Sequence, residues 1–223
     1  MRTVAFCEIN PYCRGILRKH WRNKVCFNDV RELNAETLYG TIGNNPIQVI
    51  AGGFPCQDIS VAGKGAGIDG ERSGLWGEYA RLIGELRPSY AIVENTSALL
   101  GRGLGRVLGD LAALGYDAEW HCIPASAVGA PHQRDRVWII AYPESGGRGQ
   151  GDKNRGGASQ RTLTPQKWRR FANGIRWKAE PAVSRVDDGV SDRVDRTRCL
   201  GNAVVPQIPE IIGRAILEAE GMK

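Results

Sequence analysis

The sequence lacks several features that would place it in a common class of proteins. None of its apolar runs reaches the roughly 20 residues that a membrane-spanning helix needs. The N-terminus lacks the long apolar region and the small-residue cleavage site of a signal peptide. The six cysteines form no CxxC pair, so a structural zinc site is not expected. We therefore expect a cytoplasmic protein that has no metal centre and does not enter a membrane.

The composition and charge allow a nucleic-acid partner without requiring one. The 223 residues suit one moderate domain with a small insertion, and 42% of them are hydrophobic, which is ordinary for a globular protein. The formal net charge is +6. Such a charge is compatible with binding to a polyanion.

Positive charge is concentrated between Pro143 and Lys178, where nine Lys and Arg residues face only two acids. Trp168, Phe171 and Trp177 lie among these basic residues. The segment is either a disordered basic loop or a nucleic-acid surface, in which basic side chains contact phosphates and aromatic or Arg side chains reach bases. The interleaved aromatic residues favour the nucleic-acid surface.

The order of apolar runs and helical periods predicts an α/β fold with a mostly parallel sheet covered on both faces. Asn10 and Asn34 are expected N-caps, Pro11 suits a first helical turn, and Gly115 is expected to end a helix. The predicted strands are Val4–Phe6, Val25–Phe27, Ile47–Ala51, Tyr90–Val93, Asp117–Ile123 and Val137–Tyr142, and the main helices are those that begin at Asn10, Asn34, Leu75, Leu104 and Pro206.

Two of these strands lead into groups that can carry chemistry. The strand Ile47–Ala51 runs through two glycines and a Phe-Pro pair to Cys56, and Tyr90–Val93 ends at Glu94. Parallel strands place their carboxyl ends along one edge, so the thiol and the carboxylate are expected to meet in one cleft. A nucleophile beside an acid is the usual arrangement for covalent catalysis. Taken singly, each could instead be an incidental turn residue or a helix cap.

Four motifs, in order and in spacing, resemble those of DNA (cytosine-5-)-methyltransferases, and the short variable region is most similar to that of the small phage and bacterial members. They are Gly-Phe-Pro-Cys-Gln at 53–57, Glu-Asn-Thr at 94–96, Gln-Arg-Asp-Arg at 133–136 and Leu-Gly-Asn-Ala-Val at 200–204. The resemblance implies a Rossmann-like S-adenosylmethionine-dependent sheet with a small basic target-recognition insertion. It also implies a catalytic domain at 1–142, a target-recognition region at 143–185, and a C-terminal segment at 186–223 that returns to the catalytic domain.

The resemblance assigns the reaction to four residues. It implies that Cys56 adds as a thiolate to carbon 6 of a flipped-out cytosine, and that Glu94 hydrogen-bonds N3 and the exocyclic amine. Carbon 5 then takes the methyl group of S-adenosylmethionine. Arg134 and Arg136 would hold the flipped base and its phosphate, since Arg combines a permanent charge with a fork of donors.

The resemblance also implies the residues that contact the cofactor and double-stranded DNA. Glu8 would bind the ribose hydroxyls and Asp29 the adenine amino group. The other expected cofactor contacts are Ile9, Val30, Pro55, Leu75, Asn202 and Val204, of which Ile9, Val30 and Leu75 could equally be core residues. The Gly-rich loop Val61–Ser73 would close over DNA, and the expected DNA contacts are Gln57, Ser60, Arg72, Arg169 and Arg170.

One family motif has no counterpart in the sequence, namely the aromatic-x-Gly-x-Gly turn that follows the first strand and wraps the methionine part of the cofactor. The first strand and helix of the family sheet are therefore expected to be absent, which leaves neighbouring strand edges unpaired. Either the chain is a truncated product, or a separate polypeptide supplies this piece; otherwise we expect a monomer. A DNA-binding remnant that has lost catalysis stays the alternative. A zinc nucleobase deaminase is excluded because no His-x-Glu occurs.

Overall fold

The computed structural model describes residues 1–55, 74–144, 170–173, 199 and 201–222. The chain forms two compact units. One unit comprises Arg2–Ile123 and Asp135–Gly151, and the other comprises Met1, Pro124–Arg134 and Asp152–Lys223. The domain boundaries predicted from the sequence stay predictions.

The first unit begins with a parallel strand–helix–strand arrangement. Strand β1 (Ala5–Cys7) pairs in parallel with β2 (Val25–Phe27), and helix α1 (Pro11–His20) connects them. The Asn10 side chain accepts hydrogen bonds from the Tyr12 and Cys13 backbone N–H groups, at 2.8 and 3.2 Å. These bonds satisfy donors that the first helical turn leaves unpaired, so the predicted helix start is confirmed.

The apolar side chains of α1 do not enter the core. No residue of α1 is buried, Ile16 is 40% exposed, and Trp21 at the C-cap is 44% exposed. The Trp21 ring instead lies 5.2 Å from the ring of Phe6 in β1, measured between centroids.

A second, four-stranded sheet has the order β3-β4-β6-β5, with β3 at Val49–Gly53, β4 at Tyr90–Thr96, β5 at Tyr116–Ile123 and β6 at Arg136–Pro143. Strands β3 and β4 are parallel, whereas β6 is antiparallel to both β4 and β5. The prediction of a mostly parallel sheet is therefore wrong for this half. Strands β5 and β6 are joined by a short segment that holds a 3₁₀ turn, Ala125–Val128. Antiparallel neighbours need no crossover helix, so this short connection is sufficient.

The remaining helices are α2 (Ala35–Ile42), α3 (Leu75–Leu86), α4 (Leu99–Arg102), α5 (Leu104–Ala113) and α6 (Gln207–Ala219). Their apolar positions agree with the periodicity of the sequence. In α6 the buried residues are Ile208, Ile211, Ile212 and Ile216. After α5, Gly115 has a φ of 77°, which is the left-handed conformation predicted for the residue that ends this helix.

Helix α3 contributes to both hydrophobic clusters of the first unit. Its Tyr79 and Ile83 pack in one cluster with residues of β4, β6 and α5. Its Leu82 and Leu86 form the other cluster, against which Ala5 of β1, Phe27 of β2 and Ile50 of β3 pack. The two sheets therefore share one helix as a common support.

No helix in the described part of the chain is both long and apolar enough to cross a membrane. Within the same residues, no cluster of three or more His, Cys, Asp or Glu side chains could hold a metal ion.

Candidate active site

The centre of the candidate site is an ion pair at the carboxyl end of β4. Arg136 Nε lies 2.9 Å from Glu94 Oε1, and the two side chains are only 20% and 16% exposed. Glu94 belongs to β4, and Arg136 is the first residue of β6, which pairs with β4. Antiparallel pairing thus brings together two residues that are 42 positions apart in the sequence (136 − 94). The Arg136 guanidinium fixes the orientation of the Glu94 carboxyl group.

Gly53 at the end of β3 lies directly beside this carboxylate. Gly53 and Glu94 are register partners in the parallel β3–β4 ladder. A Cβ atom at Gly53 would lie 2.8 Å from Glu94 Oε2 and 3.0 Å from the Glu94 carbonyl oxygen. Glycine is therefore required at position 53, because the Glu94 oxygen atoms leave no space for a Cβ atom.

The backbone that follows Gly53 is anchored by a buried aromatic ring and a buried amide. Phe54 is 7% exposed and its ring centroid lies 5.5 Å from that of Trp76. Asn95, which is 3% exposed, donates from Nδ2 to the Phe54 carbonyl oxygen at 3.3 Å and accepts at Oδ1 from the Thr96 N–H at 2.8 Å. These contacts anchor the chain where it leaves β3.

Five of the residues assigned from the sequence lie outside the described residues. These are Cys56, Gln57, Ser60, Arg72 and Arg169. The described chain reaches Pro55, which is exposed at the end of the anchored segment.

The Glu8 carboxylate helps to fix the turn after β1. Its Oε1 accepts a hydrogen bond from the Asn10 N–H at 2.7 Å. Arg14 holds the same turn by donating from Nη1 to the carbonyl oxygens of Glu8 and Ile9, at 3.1 and 2.6 Å. The Ile9 side chain is 61% exposed. Of the two roles that the sequence allowed for Ile9, that of a core residue is therefore excluded.

Asp29, shortly after the end of β2, is paired with Arg31. Arg31 Nη2 lies 2.6 Å from Asp29 Oδ2, Nε contacts both carboxylate oxygens, and the Arg31 backbone N–H donates to Oδ1. Hydrogen bonds from the Arg31 side chain and then from its backbone N–H lower the pKa of Asp29 from 3.8 to about 2. Because β1 and β2 are parallel, Glu8 and Asp29 follow the same ends of adjacent strands.

The other proposed cofactor residues of the first unit are Val30 and Leu75. Both are half-buried. Val30 packs against the cluster around Leu33 and Leu82, so it serves at least partly as a core residue.

In the second unit, Arg134 contacts the segment that holds the last motif. Its Nη2 donates to the carbonyl oxygens of Gly201 and Ala203, at 2.7 and 2.5 Å. Asn202 and Val204 are both exposed.

Arg170, the one expected DNA contact among the described residues, makes two contacts within the second unit. Its Nη2 lies 2.5 Å from Glu218 Oε2, and its guanidinium lies 4.8 Å from the centroid of the Phe171 ring. The Arg170 side chain is 59% exposed, so the pair is solvent-accessible.

The C-5 cytosine-specific DNA methylase family model matches residues 1–166, which is most of the chain. The chain belongs to this family. Gly53, Glu94 and Arg136 stand in three separate motifs, at 53–57, 94–96 and 133–136, and all three motifs lie within the matched residues.

Individual relatives in this family agree with that assignment. The chain is 33% identical over 150 residues to the type II methyltransferase M2.BsuMI of Bacillus subtilis strain 168, covering 62% of this chain and 36% of the relative. It is 32% identical over 139 residues to M.CviJI of Paramecium bursaria Chlorella virus IL3A, with the same coverage. The chain therefore spans about a third of the length of these curated relatives.

A solved structure with the same fold is a prophage-encoded protein from E. coli described as a DNA modification methyltransferase. The TM-score is 0.54 at 26% identity, and the match covers 64% of this chain and 40% of that chain. This similarity confirms the expected S-adenosylmethionine-dependent methyltransferase fold.

Sequence reasoning gave no role to three residues that shape the site. Asn95 stands in the Glu-Asn-Thr motif, but only its burial and its bond to Phe54 reveal that it anchors the neighbouring strand end. Trp76 buries Phe54, and its Nε1 donates to Asp110 Oδ2 at 2.8 Å. Arg31 fixes the Asp29 carboxylate. The sequence signal that could have predicted this pair is a basic residue two positions after an acid.

Proposed function

We propose that the chain carries the catalytic part of a DNA (cytosine-5-)-methyltransferase that methylates carbon 5 of cytosine in double-stranded DNA. The observation that carries this proposal is the half-buried pair between Glu94 and Arg136 at the end of the strand beside the Gly53–Cys56 segment. The type II relatives suggest a role in restriction-modification, in the cytoplasm of a bacterium or a phage-infected host.

In this proposal the chain's own residues activate the cytosine ring. The Cys56 thiolate forms a bond to carbon 6, and the electron pair of the carbon 5–carbon 6 double bond is displaced toward carbon 5 and N3. The protonated carboxyl group of Glu94 donates to N3 and accepts from the exocyclic amine, so that the negative charge that the addition places on the ring is stabilised. Arg136 holds Glu94 in place. After methylation, a base removes the carbon 5 proton, and the returning electron pair expels the Cys56 thiolate.

A cytosine inside a duplex cannot be attacked in this way, so the target base must be flipped out. The Gly-rich loop Val61–Ser73 would close over the DNA. The proposed contacts with the DNA are Gln57, Ser60, Arg72, Arg169 and Arg170. Arg170 would exchange its exposed ion pair with Glu218 for a phosphate at small cost, because exposed ion pairs contribute little.

The residues after β1 and β2 fit the proposed cofactor, S-adenosylmethionine. This molecule supplies an electrophilic methyl group when bound. Asp29 is ionised at neutral pH because its pKa is held near 2, so it can accept from an adenine amino group. Glu8 can accept from ribose hydroxyls, as carboxylates at strand ends do in dinucleotide sites. Ile9, Val30, Pro55, Leu75, Asn202 and Val204 are the other proposed contacts.

We also propose that the sheet is completed by a strand that carries the aromatic-x-Gly-x-Gly turn, supplied either by an upstream part of a longer chain or by a separate polypeptide. Among the described residues, β1 pairs only with β2 and β3 pairs only with β4, so each has a second edge without a strand partner. Both strands lie against the same cluster around Leu82 and Leu86. Unpaired strand edges are costly unless they are covered.

Calorimetric titration with S-adenosylmethionine tests the need for this second polypeptide. The purified chain alone is expected to bind weakly, and binding is expected to strengthen when a polypeptide with the glycine turn co-purifies from the source cells. Tight binding by the chain alone would contradict the proposal of a missing piece while leaving the proposed reaction intact.

The reaction itself is tested by the Cys56→Ala variant. We expect it to lose methyl transfer and to keep DNA binding, because the thiol takes no part in holding the duplex. A second candidate function, a DNA-binding remnant without catalysis, is favoured by the separation of β1–β2 from the other sheet. Methyl transfer by the unsubstituted protein, alone or with its partner, excludes that candidate.

A further inference from the structure

Arg134 makes a backbone contact that its proposed role at the target base does not explain. The same nitrogen, Nη2, donates to the carbonyl oxygens of Gly201 and Ala203. A guanidinium Nη atom carries two hydrogens, so both hydrogens of Nη2 are used by these two bonds. Charge-assisted hydrogen bonds of this kind are stronger than bonds between neutral groups.

The segment before Arg134 is shaped to deliver this side chain. The Ala125 N–H donates to the Gln133 carbonyl oxygen at 2.5 Å, which closes the loop immediately before Arg134. Arg134 itself has a φ of 42°, in the left-handed region that residues other than glycine rarely adopt. Such a conformation persists only where the surrounding contacts require it.

The two carbonyl groups belong to the residues on either side of Asn202. Holding both carbonyls restrains the backbone on each side of this exposed residue. The Ala203 N–H also donates to the Cys199 carbonyl oxygen at 2.8 Å, so the same peptide segment is tied at a second place.

We infer that Arg134 is a positioning residue that presents Asn202 and Val204, and that it is not a group that grips the flipped base. The inference rests on the proposed function in one respect, namely that Asn202 and Val204 contact the cofactor. Arg136, two positions along, differs because its Nε is directed to the Glu94 carboxylate. The two arginines of the Gln-Arg-Asp-Arg motif therefore have separate tasks, one at a backbone segment and one at the reacting ring.

The experiment compares Arg134→Gln and Arg134→Lys with Arg214→Gln, whose parent side chain forms an exposed ion pair with Glu210 in α6. The first measurement is hydrogen exchange at the Ala203 amide in the full chain without cofactor. Loss of the two bonds in Arg134→Gln should accelerate this exchange by about tenfold, since each bond contributes only modestly. Arg134→Lys keeps the charge but lacks the planar fork, so an intermediate rate is expected. Arg214→Gln should leave the rate unchanged.

The second measurement is the affinity of each variant for S-adenosylmethionine and for duplex DNA. Arg134→Gln should weaken cofactor binding by about the same factor as the exchange rate rises, and should leave DNA affinity unchanged. Unchanged Ala203 exchange together with reduced DNA affinity, in either Arg134 variant, would overturn the inference. Failure of the proposed function is visible separately, as an absence of cofactor binding in the unsubstituted protein even when the polypeptide with the glycine turn is present, while the exchange measurement still decides the role of Arg134.

Discussion

Gly53 and Glu94 are register partners whose separation leaves no room for a side chain, because a Cβ atom at Gly53 would lie 2.8 Å from Glu94 Oε2. The carboxylate could swing away, but the Glu94 carbonyl oxygen at 3.0 Å belongs to the central strand and cannot. The Gly-Phe-Pro-Cys motif therefore supplies space for the acid as well as the thiol.

Gly53→Ala is expected to displace the Glu94 carboxylate and to disturb its pairing with Arg136. A shift of about 1 Å in a reacting group can reduce a rate by roughly a hundredfold. The measurement is the release of tritium from carbon 5 of cytosine in DNA. Tritium is exchanged for a solvent proton after addition at carbon 6, and this exchange needs no methyl donor.

Gly52→Ala is the matched control for this prediction. Its Cβ atom would meet only the Tyr79 ring, at 3.9 Å, which is an ordinary contact. If Gly53→Ala and Gly52→Ala slow tritium release equally, the proposed steric role of Gly53 is wrong.

Glu94→Gln is expected to slow the same exchange by about 10² to 10⁴, the usual contribution of a positioned acid or base. The amide fits the space but is not an acid, so it cannot transfer a proton to N3 as the addition proceeds. Glu85→Gln is the control, since Glu85 forms an exposed pair with Arg81 on the surface of α3. Exchange at the unsubstituted rate in Glu94→Gln would rule out the proposed role of this carboxylate.

Asn95→Ala is expected to lower the free energy of unfolding by about 1–3 kcal/mol, because it leaves the buried Phe54 carbonyl oxygen without its donor. Chemical denaturation measures this loss. Asn44→Ala, at an exposed position, should change stability by less than about 0.5 kcal/mol. A loss at Asn95 no larger than that at Asn44 would argue against the anchor.

The carboxyl group of Asp29 should titrate with a midpoint near pH 2 when followed by NMR. In Arg31→Gln the midpoint should return toward the ordinary value of 3.8, since the Arg31 hydrogen bonds are the main cause of the lowered pKa. A folded pKa below the unfolded value means that this pairing stabilises the protein above about pH 4 and stops doing so as the pH falls toward 2. Asp29→Asn should remove this part of the acid sensitivity. A midpoint near 3.8 in the unsubstituted protein would contradict the pairing.

Most element positions could be predicted from sequence because they depend on local signals. Asn10 and Pro11 start α1, α3 begins at the predicted Leu75, and Gly115 adopts the left-handed conformation after α5. The direction of β6 could not be predicted, because an apolar strand reads the same in either direction. The exposure of Trp21 also depends on long-range packing.

The position of Glu94 in the site could be predicted from strand pairing, whereas contacts between residues distant in the sequence could not. The proximity of Glu94 to the end of β3 followed from parallel pairing, and the structure bears it out. The anchoring by Asn95 and the use of Arg134 on the Gly201 and Ala203 carbonyls depend on approaches across 41 or more positions, for which the sequence carries no periodic signal.

Covalent trapping on duplex DNA that contains 5-fluorocytosine tests the central claim most directly. Fluorine on carbon 5 cannot leave as a proton does, so after addition and methylation the carbon 6–sulfur bond persists. Incubated with S-adenosylmethionine and the polypeptide that carries the glycine turn, the unsubstituted protein and Cys122→Ala, which lacks a different and exposed thiol, are expected to form an adduct on the peptide that contains Cys56. Cys56→Ala is expected to form none. An adduct that persists in Cys56→Ala would contradict the assignment of Cys56 as the nucleophile.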